Sequence, residues 1–265
     1  MNWTILGASG TIGRYLAARL RASGESVDTP ERNASDLWGR PLGHVIYAIG
    51  LTADFRQRPF DTVHAHVSLL SEVLQRAKFS SLLYLSSTRV YAHAAQAQED
   101  TPLPVLAQDP SDLYNLSKLM GESLCLHGGR TAVRVARLSN VVGGDDADSA
   151  NFVPSLQRDA RAGRIVLQTA LDSAKDYIHI DDVADLLPRI AAQGRARLYN
   201  VASGVQTTHR QWTEQLQART GCAVEVAPGA PAVCFAPIDI GRIRAEFGFS
   251  PRPAFSALSP AAHPL

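Results

Sequence analysis

Asn2-Trp3-Thr4-Ile5-Leu6-Gly7-Ala8-Ser9-Gly10-Thr11-Ile12-Gly13 is the stretch that decides the fold of this 265-residue chain. Asn2 to Leu6 reads as a short buried strand, and Tyr15-Leu16-Ala17-Ala18-Arg19-Leu20 continues beyond the glycines with helical apolar spacing as far as Gly24. Strand, glycine turn and helix in that order suit a pyrophosphate. The glycines let the backbone approach it closely, and the helix start offers N–H donors and the positive end of a dipole. Gly7, Ser9, Gly10, Thr11, Ile12 and Gly13 are therefore the first candidate cofactor contacts.

Working outward, Glu25 to Pro30 reads as a second strand that ends at Glu31-Arg32. An acid at that strand end accepts hydrogen bonds from an adenosine ribose and favours NAD, whereas an arginine there meets the 2'-phosphate of NADP. Glu31 holds the strand-end position, so the pair leans towards NAD while Arg32 keeps NADP open. His44 to Gly50 is another buried strand, whose carboxyl end presents Ala48, Ile49 and Gly50 to the same cofactor. Pro59 to Lys78 reads as one amphipathic helix. Ser81 to Ser86 is a strand running into Ser87-Thr88-Arg89, which places Ser87 at a strand carboxyl end, where open parallel sheets bind their ligands.

Ala94 to Ser111 is polar and proline-bearing, hence a loop, and a helix from about Asp112 to about Leu126 follows. Thr131 to Leu138 alternates as a strand. From Ser139 the alternation loosens through Gly143-Gly144-Asp145-Asp146, a short helix over Phe152 to Ala162 and a strand over Ile165 to Gln168. Tyr177 to Ile180, a helix from Asp181-Asp182 and a strand Leu198 to Val201 then resume the sheet pattern. The expected fold is α/β, a Rossmann-type doubly wound parallel sheet with a small C-terminal substrate lobe. Residues 1–138 plus about 176–202 would form the nucleotide-binding domain, and about 139–175 plus 203–265 the discontinuous lobe.

The helix from Asp112 carries Tyr114-Asn115-Leu116-Ser117-Lys118. Residues four apart share a helix face, so the Lys118 ammonium can lie near the Tyr114 phenol. A fixed cation favours the phenolate of a tyrosine that otherwise titrates near pH ~10. An activated tyrosine beside a dinucleotide loop points to hydride and proton transfer at an alcohol or ketone.

Composition removes other classes. The formal charge of +1, from 26 basic and 25 acidic residues, gives no footprint for nucleic acid. No stretch reads as a signal peptide or membrane span, so a cytoplasmic location and a small-molecule partner are expected. Cys125, Cys222 and Cys234 fit neither a disulfide framework nor a zinc site. His64 and His66, two apart on a helix, point in different directions and are not expected to chelate a metal.

Taken together, the residues resemble the extended short-chain dehydrogenase/reductase superfamily, in its NAD-dependent epimerase/dehydratase branch. The likeness rests on Gly7, Gly10 and Gly13, on Leu85-Ser86-Ser87-Thr88-Arg89-Val90-Tyr91, on Glu99-Asp100-Thr101-Pro102, on Tyr114 with Lys118, on Arg137 to Gly143, and on Asp176 to Ala184. It implies Ser87, Tyr114 and Lys118 as the catalytic set, with Tyr114 and Lys118 also touching the cofactor. Substrate contacts are implied for Ser87, Thr88, Asn140 and Lys175, the last standing where many relatives carry a diphosphate-binding arginine. A lysine there keeps the charge and loses the bidentate fork. The resemblance further implies a nucleotide sugar as substrate and a homodimer through Pro59 to Lys78 and Asp112 to Leu126.

Three departures are specific. His66-Val67-Ser68-Leu69-Leu70 replaces the family's Asn-Val-x-Gly-Thr, so its asparagine has no counterpart. Arg32 to Gly43 is too short for a full helix plus strand. Thr88-Arg89 offers no carboxylate where dehydration needs an additional acid, which disfavours a dehydratase. A ketoreductase is favoured over a nucleotide-sugar 4-epimerase because the lobe is small, and a catalytically silent NAD(P)-binding regulatory or scaffold protein is the third reading.

Overall fold

The computed structural model describes residues 1–31, 35–52, 54–144 and 149–258; Arg32 lies outside them, as do Asp145 and Asp146. The chain runs β1 (Asn2–Leu6), α1 (Thr11–Ala22), β2 (Ser26–Asp28), β3 (His44–Tyr47), α2 (Pro59–Val63), α3 (Leu69–Arg76), β4 (Ser81–Ser87), α4 (Asp112–His127), β5 (Val133–Leu138) and β6 (Asn140–Val142). It continues through α5 (Phe152–Arg161), β7 (Arg164–Leu167), β8 (Ala174–His179), α6 (Ile180–Gln193), β9 (Leu198–Val201), β10 (Gln206–Thr208), α7 (His209–Thr220), β11 (Ala223–Val226) and α8 (Gly241–Phe247).

Six strands form one parallel sheet in the order β2-β1-β3-β4-β5-β9. Because successive strand residues face opposite sides, its interior strands are apolar on both. Ile5, Ile46, Leu83 and Ala136 pack with Leu16 and Leu20 of α1 and with Val183, Leu187 and Ile190 of α6. Val45, Tyr47, Leu82, Tyr84 and Val135 pack on the other face with Leu70 and Val73 of α3 and Cys125 of α4. The double winding is thus present. The sheet stops at the three-residue β2, and the stretch from there to β3 contributes no further strand among the described residues, in keeping with its short length.

Three elements differ from the sequence-based expectation. Strand β2, expected over Glu25 to Pro30, spans only Ser26–Asp28 and ends three residues before Glu31. The helix expected over Pro59 to Lys78 is interrupted at His64–Ser68 by a π-helical turn, in which the Leu69 N–H bonds the His64 carbonyl, and it ends at Arg76 because Ala77 turns extended. Strand β8, expected to rejoin the main sheet, instead lies between β10 and β6 in a small mixed sheet, with Lys175 opposite Thr207 and Tyr177 opposite Asn140. The edge of β5 that β8 would have used is taken by β9, where Arg137 registers with Asn200. Buried Asp176 ties this small sheet to the loop after β9, accepting the N–H groups of Ser203 (2.9 Å) and Gly204 (2.7 Å). A separate core of Val153, Leu156, Ile165, Tyr177, Trp212 and Leu216 holds this side together. Fully burying an apolar side chain of this size contributes about 1.5–3 kcal/mol.

Candidate active site

The glycine loop closes as expected. Gly7 adopts φ +92°, a conformation that disfavours any side chain. A Cβ there would also lie 2.8 Å from the Ala48–Ile49 backbone, and a Cβ on Gly13 would lie 2.3 Å from the Gly7 carbonyl oxygen. At Gly10, by contrast, a Cβ would meet only the Gly7 carbonyl oxygen, at an ordinary contact distance of 3.5 Å. Gly10 caps α1 without a side-chain partner, and the first turn of the helix holds no acidic residue. An exposed backbone cradle at the positive end of a twelve-residue helix fits a dinucleotide pyrophosphate. Ser9 is exposed, and Thr11 and Ile12 are half-buried beside it. Ala48, Ile49 and Gly50 follow β3 at the carboxyl end of the same sheet, and Glu31 is exposed beyond β2.

Ser87 ends β4, and its hydroxyl accepts the Arg89 backbone N–H at 3.2 Å, which starts a tight turn over Thr88–Tyr91 and buries Thr88. Tyr114 and Lys118 occupy one face of α4, both buried. Lys118 Nζ donates to the Leu85 carbonyl of β4 at 2.9 Å and stands 5.9 Å from the Tyr114 ring centre. Helix α4 is thereby fixed against the strand that supplies Ser87. Contrary to the expectation that the Lys118 cation would favour the phenolate, burial pushes the Tyr114 phenol above its ordinary value, and it is the Ser87 hydroxyl and the Arg89 charge that draw it back. Burial likewise pulls Lys118 down to about 7, against the pull of the Glu122 carboxylate one turn further along.

Further residues that sequence reasoning left without a role hold this site in place. His66, wholly buried in the π-helical turn, meets the Ser117 hydroxyl at 2.8 Å and accepts the Leu51 N–H at 3.2 Å. That assigns the ring proton to Nδ1, and the Ser117 hydroxyl in turn donates to the Tyr114 carbonyl at 2.9 Å. The imidazole edge packs against the Tyr114 ring at 5.3 Å, and burial then the Lys118 charge keep the ring neutral. A Cβ on Gly50 would lie 3.1 Å from His66 Nε2 and 3.4 Å from Lys118 Nζ. Below Lys118, Glu122 accepts from Ser86 at 2.6 Å and from Arg137, which also reaches Tyr91 at 2.7 Å. This buried cluster clamps α4 to β4 and β5.

Phe55 covers Tyr114 with ring centres 5.3 Å apart, and the Arg89 guanidinium lies 5.4 Å from the Phe55 ring and 5.9 Å from the Tyr114 ring. Of the implied substrate residues, Asn140 is exposed at the start of β6 and donates to the Asp176 carbonyl at 2.8 Å. Lys175 projects from β8 with Nζ 5.8 Å from the Phe235 ring, its pKa lowered by burial and then by the Arg89 charge. The order of Ser87 and Arg89 at a strand end was a signal available in the sequence for the arginine; Phe55 carried none.

Among the described residues His93, Asp109 and Asp112 bring ligand atoms within 4.8 Å of one another. The Asp112 carboxylate is already shared by His93, by Asn115 (2.6 Å) and by the Leu106 N–H (2.7 Å), an arrangement that anchors the start of α4. No helix among the described residues is long and apolar enough to cross a membrane.

The model of the NAD dependent epimerase/dehydratase family matches residues 3–202. The GDP-6-deoxy-D-mannose reductase of Pseudomonas aeruginosa is 30% identical over 242 residues, 80% of this chain and 78% of that protein. Among solved structures, RMD from Pseudomonas aeruginosa complexed with NADPH is 24% identical with a TM-score of 0.80, covering 97% of each chain. MoeE5 in complex with UDP-glucose and NAD is 19% identical with a TM-score of 0.79, again covering 97% of each chain.

Proposed function

Because the chain belongs to the NAD-dependent epimerase/dehydratase family, we propose that it is an NAD(P)-dependent ketoreductase acting on a nucleotide-activated sugar. The observation that carries this reading is the convergence of Ser87, Tyr114 and Lys118, from two elements, beside the glycine cradle. The glycine loop would hold the pyrophosphate, Ala48 to Gly50 would line the cofactor, and Lys118 would hold the nicotinamide ribose. When bound, the nicotinamide supplies the hydride. Tyr114 Oη gives its proton to the carbonyl oxygen of the sugar, and Ser87 Oγ hydrogen-bonds that oxygen as charge develops on it.

Burial raises the Tyr114 phenol above its ordinary value, which suits it to the proton donor's part in a reduction. The relative named as a reductase supports the same choice. Strand β2 ends at Asp28, three residues before Glu31, so the strand-end argument for NAD falls away, and a relative's complex with NADPH keeps NADP equally in play. Asn140 and Lys175 would face the sugar and its diphosphate from the small lobe, and Thr88 from the end of β4. Exposed Phe60, Val63 and Met120 on α2 and α4 support a homodimer, and the need for nicotinamide and nucleotide sugar supports a cytoplasmic setting.

The test is to follow NADH and NADPH absorbance with the purified protein against a panel of keto and hydroxy sugars, neutral and acidic, activated by GDP, dTDP and UDP. Net oxidation of one cofactor with reduction of the keto sugar nucleotide to its hydroxy form is expected. Isomerised product without net redox change would replace the reductase by an epimerase, and cofactor binding with no turnover would make the chain a silent binder.

A further inference from the structure

Arg89 and Lys175 are both removed from much of the solvent and have no carboxylate partner. Among the described residues neither forms an ion pair, and each has only aromatic contacts, Phe55 and Tyr114 for Arg89 and Phe235 for Lys175. Arg89 Nε is buried with no hydrogen-bond partner. The carboxylates of Asp112 and Asp109 act on Arg89 without forming an ion pair with it, and Asp112 is hydrogen-bonded by His93, Asn115 and Leu106. Arg56, 4.6 Å from the Phe55 ring centre, adds further positive charge. Burying cations this way without a direct ion-pair partner is costly, and the cost is recovered when an anion arrives.

Resting on the reading above, Lys175 serves the diphosphate, which leaves Arg89 without an anion. Its guanidinium lies against the ring of Tyr114 and on the same turn as Ser87, so it stands at the reacting end of the substrate. The planar fork of an arginine matches a carboxylate in two parallel hydrogen bonds. We propose that Arg89 is the receptor for a carboxylate on the sugar ring, so that the substrate is a nucleotide-activated sugar acid.

The probes are two pairs that differ in that group, UDP-glucose with UDP-glucuronate and GDP-mannose with GDP-mannuronate, titrated by calorimetry into the full chain saturated with NAD(P). In the pair whose nucleotide is recognised, the acid is expected to bind at least tenfold more tightly. Arg89→Gln should bring that ratio to about one, Arg89→Lys should restore part of it, and Lys175→Met should weaken both members equally. NAD(P) affinity in each variant reports whether the fold survives. Equal affinity within both pairs, with Arg89→Gln weakening both members alike, would assign Arg89 to the diphosphate and overturn the proposal while leaving the nucleotide-sugar reading intact. A ratio that persists in Arg89→Gln overturns it as well, and failure of all four probes to bind overturns both.

Discussion

Lys118 is the residue on which the chemistry is most sensitive to its surroundings. Burial lowers its pKa from 10.5 to about 7, so the folded state holds its proton less tightly than the unfolded chain does. Between about pH 7 and pH 10.5 the unfolded chain binds more protons at this position, and stability therefore rises with pH across that window. Below pH 7 the full cost of burying the ammonium is felt. The difference in unfolding free energy between the wild type and Lys118→Met, measured by denaturant titration, should change by up to about 1.4 kcal/mol per pH unit in that window. A pH-independent difference would contradict it. Sequence spacing correctly put Lys118 and Tyr114 on one face of α4, but it could not tell that Nζ would turn to the Leu85 carbonyl or that Arg89 would join the site. Side-chain direction after a strand end depends on the turn that follows.

At the scale of elements, the strand–glycine–helix unit was legible because every determinant is local. The period of the apolar residues, the glycine positions and the helix start all lie within a few residues. It also yields a separation of roles. Gly10→Ala introduces a methyl at ordinary contact distance and should leave the melting temperature unchanged while weakening NAD(P) binding at least tenfold, whereas Gly13→Ala should cost about 1–3 kcal/mol of stability. Calorimetric melting and cofactor titration of the two variants check this; equal behaviour of both would contradict it. The π-helical turn and the placement of β8 were not legible. The first depends on burying His66 against Ser117, the second on β9 claiming the edge of β5, and both are contacts across long stretches of chain.

For the whole molecule, the exposed apolar side chains of α2 and α4 are the surface to test. Phe60 is 88% and Met120 54% exposed, and Phe60→Glu combined with Met120→Glu should convert the proposed dimer to a monomer by light scattering. An unchanged mass would contradict a dimer through this face. The central claim is that a hydride passes between nicotinamide and sugar under proton transfer from Tyr114. It is tested most directly by supplying NAD(P)H deuterated at both C4 positions with the keto sugar nucleotide that is turned over, and following label and rate in the wild type and in Tyr114→Phe. One deuterium per oxidised cofactor should appear on a sugar carbon in the wild type, and the variant should bind cofactor normally yet react at least about 100-fold more slowly. Unlabelled product, or a variant as fast as the wild type, would contradict it.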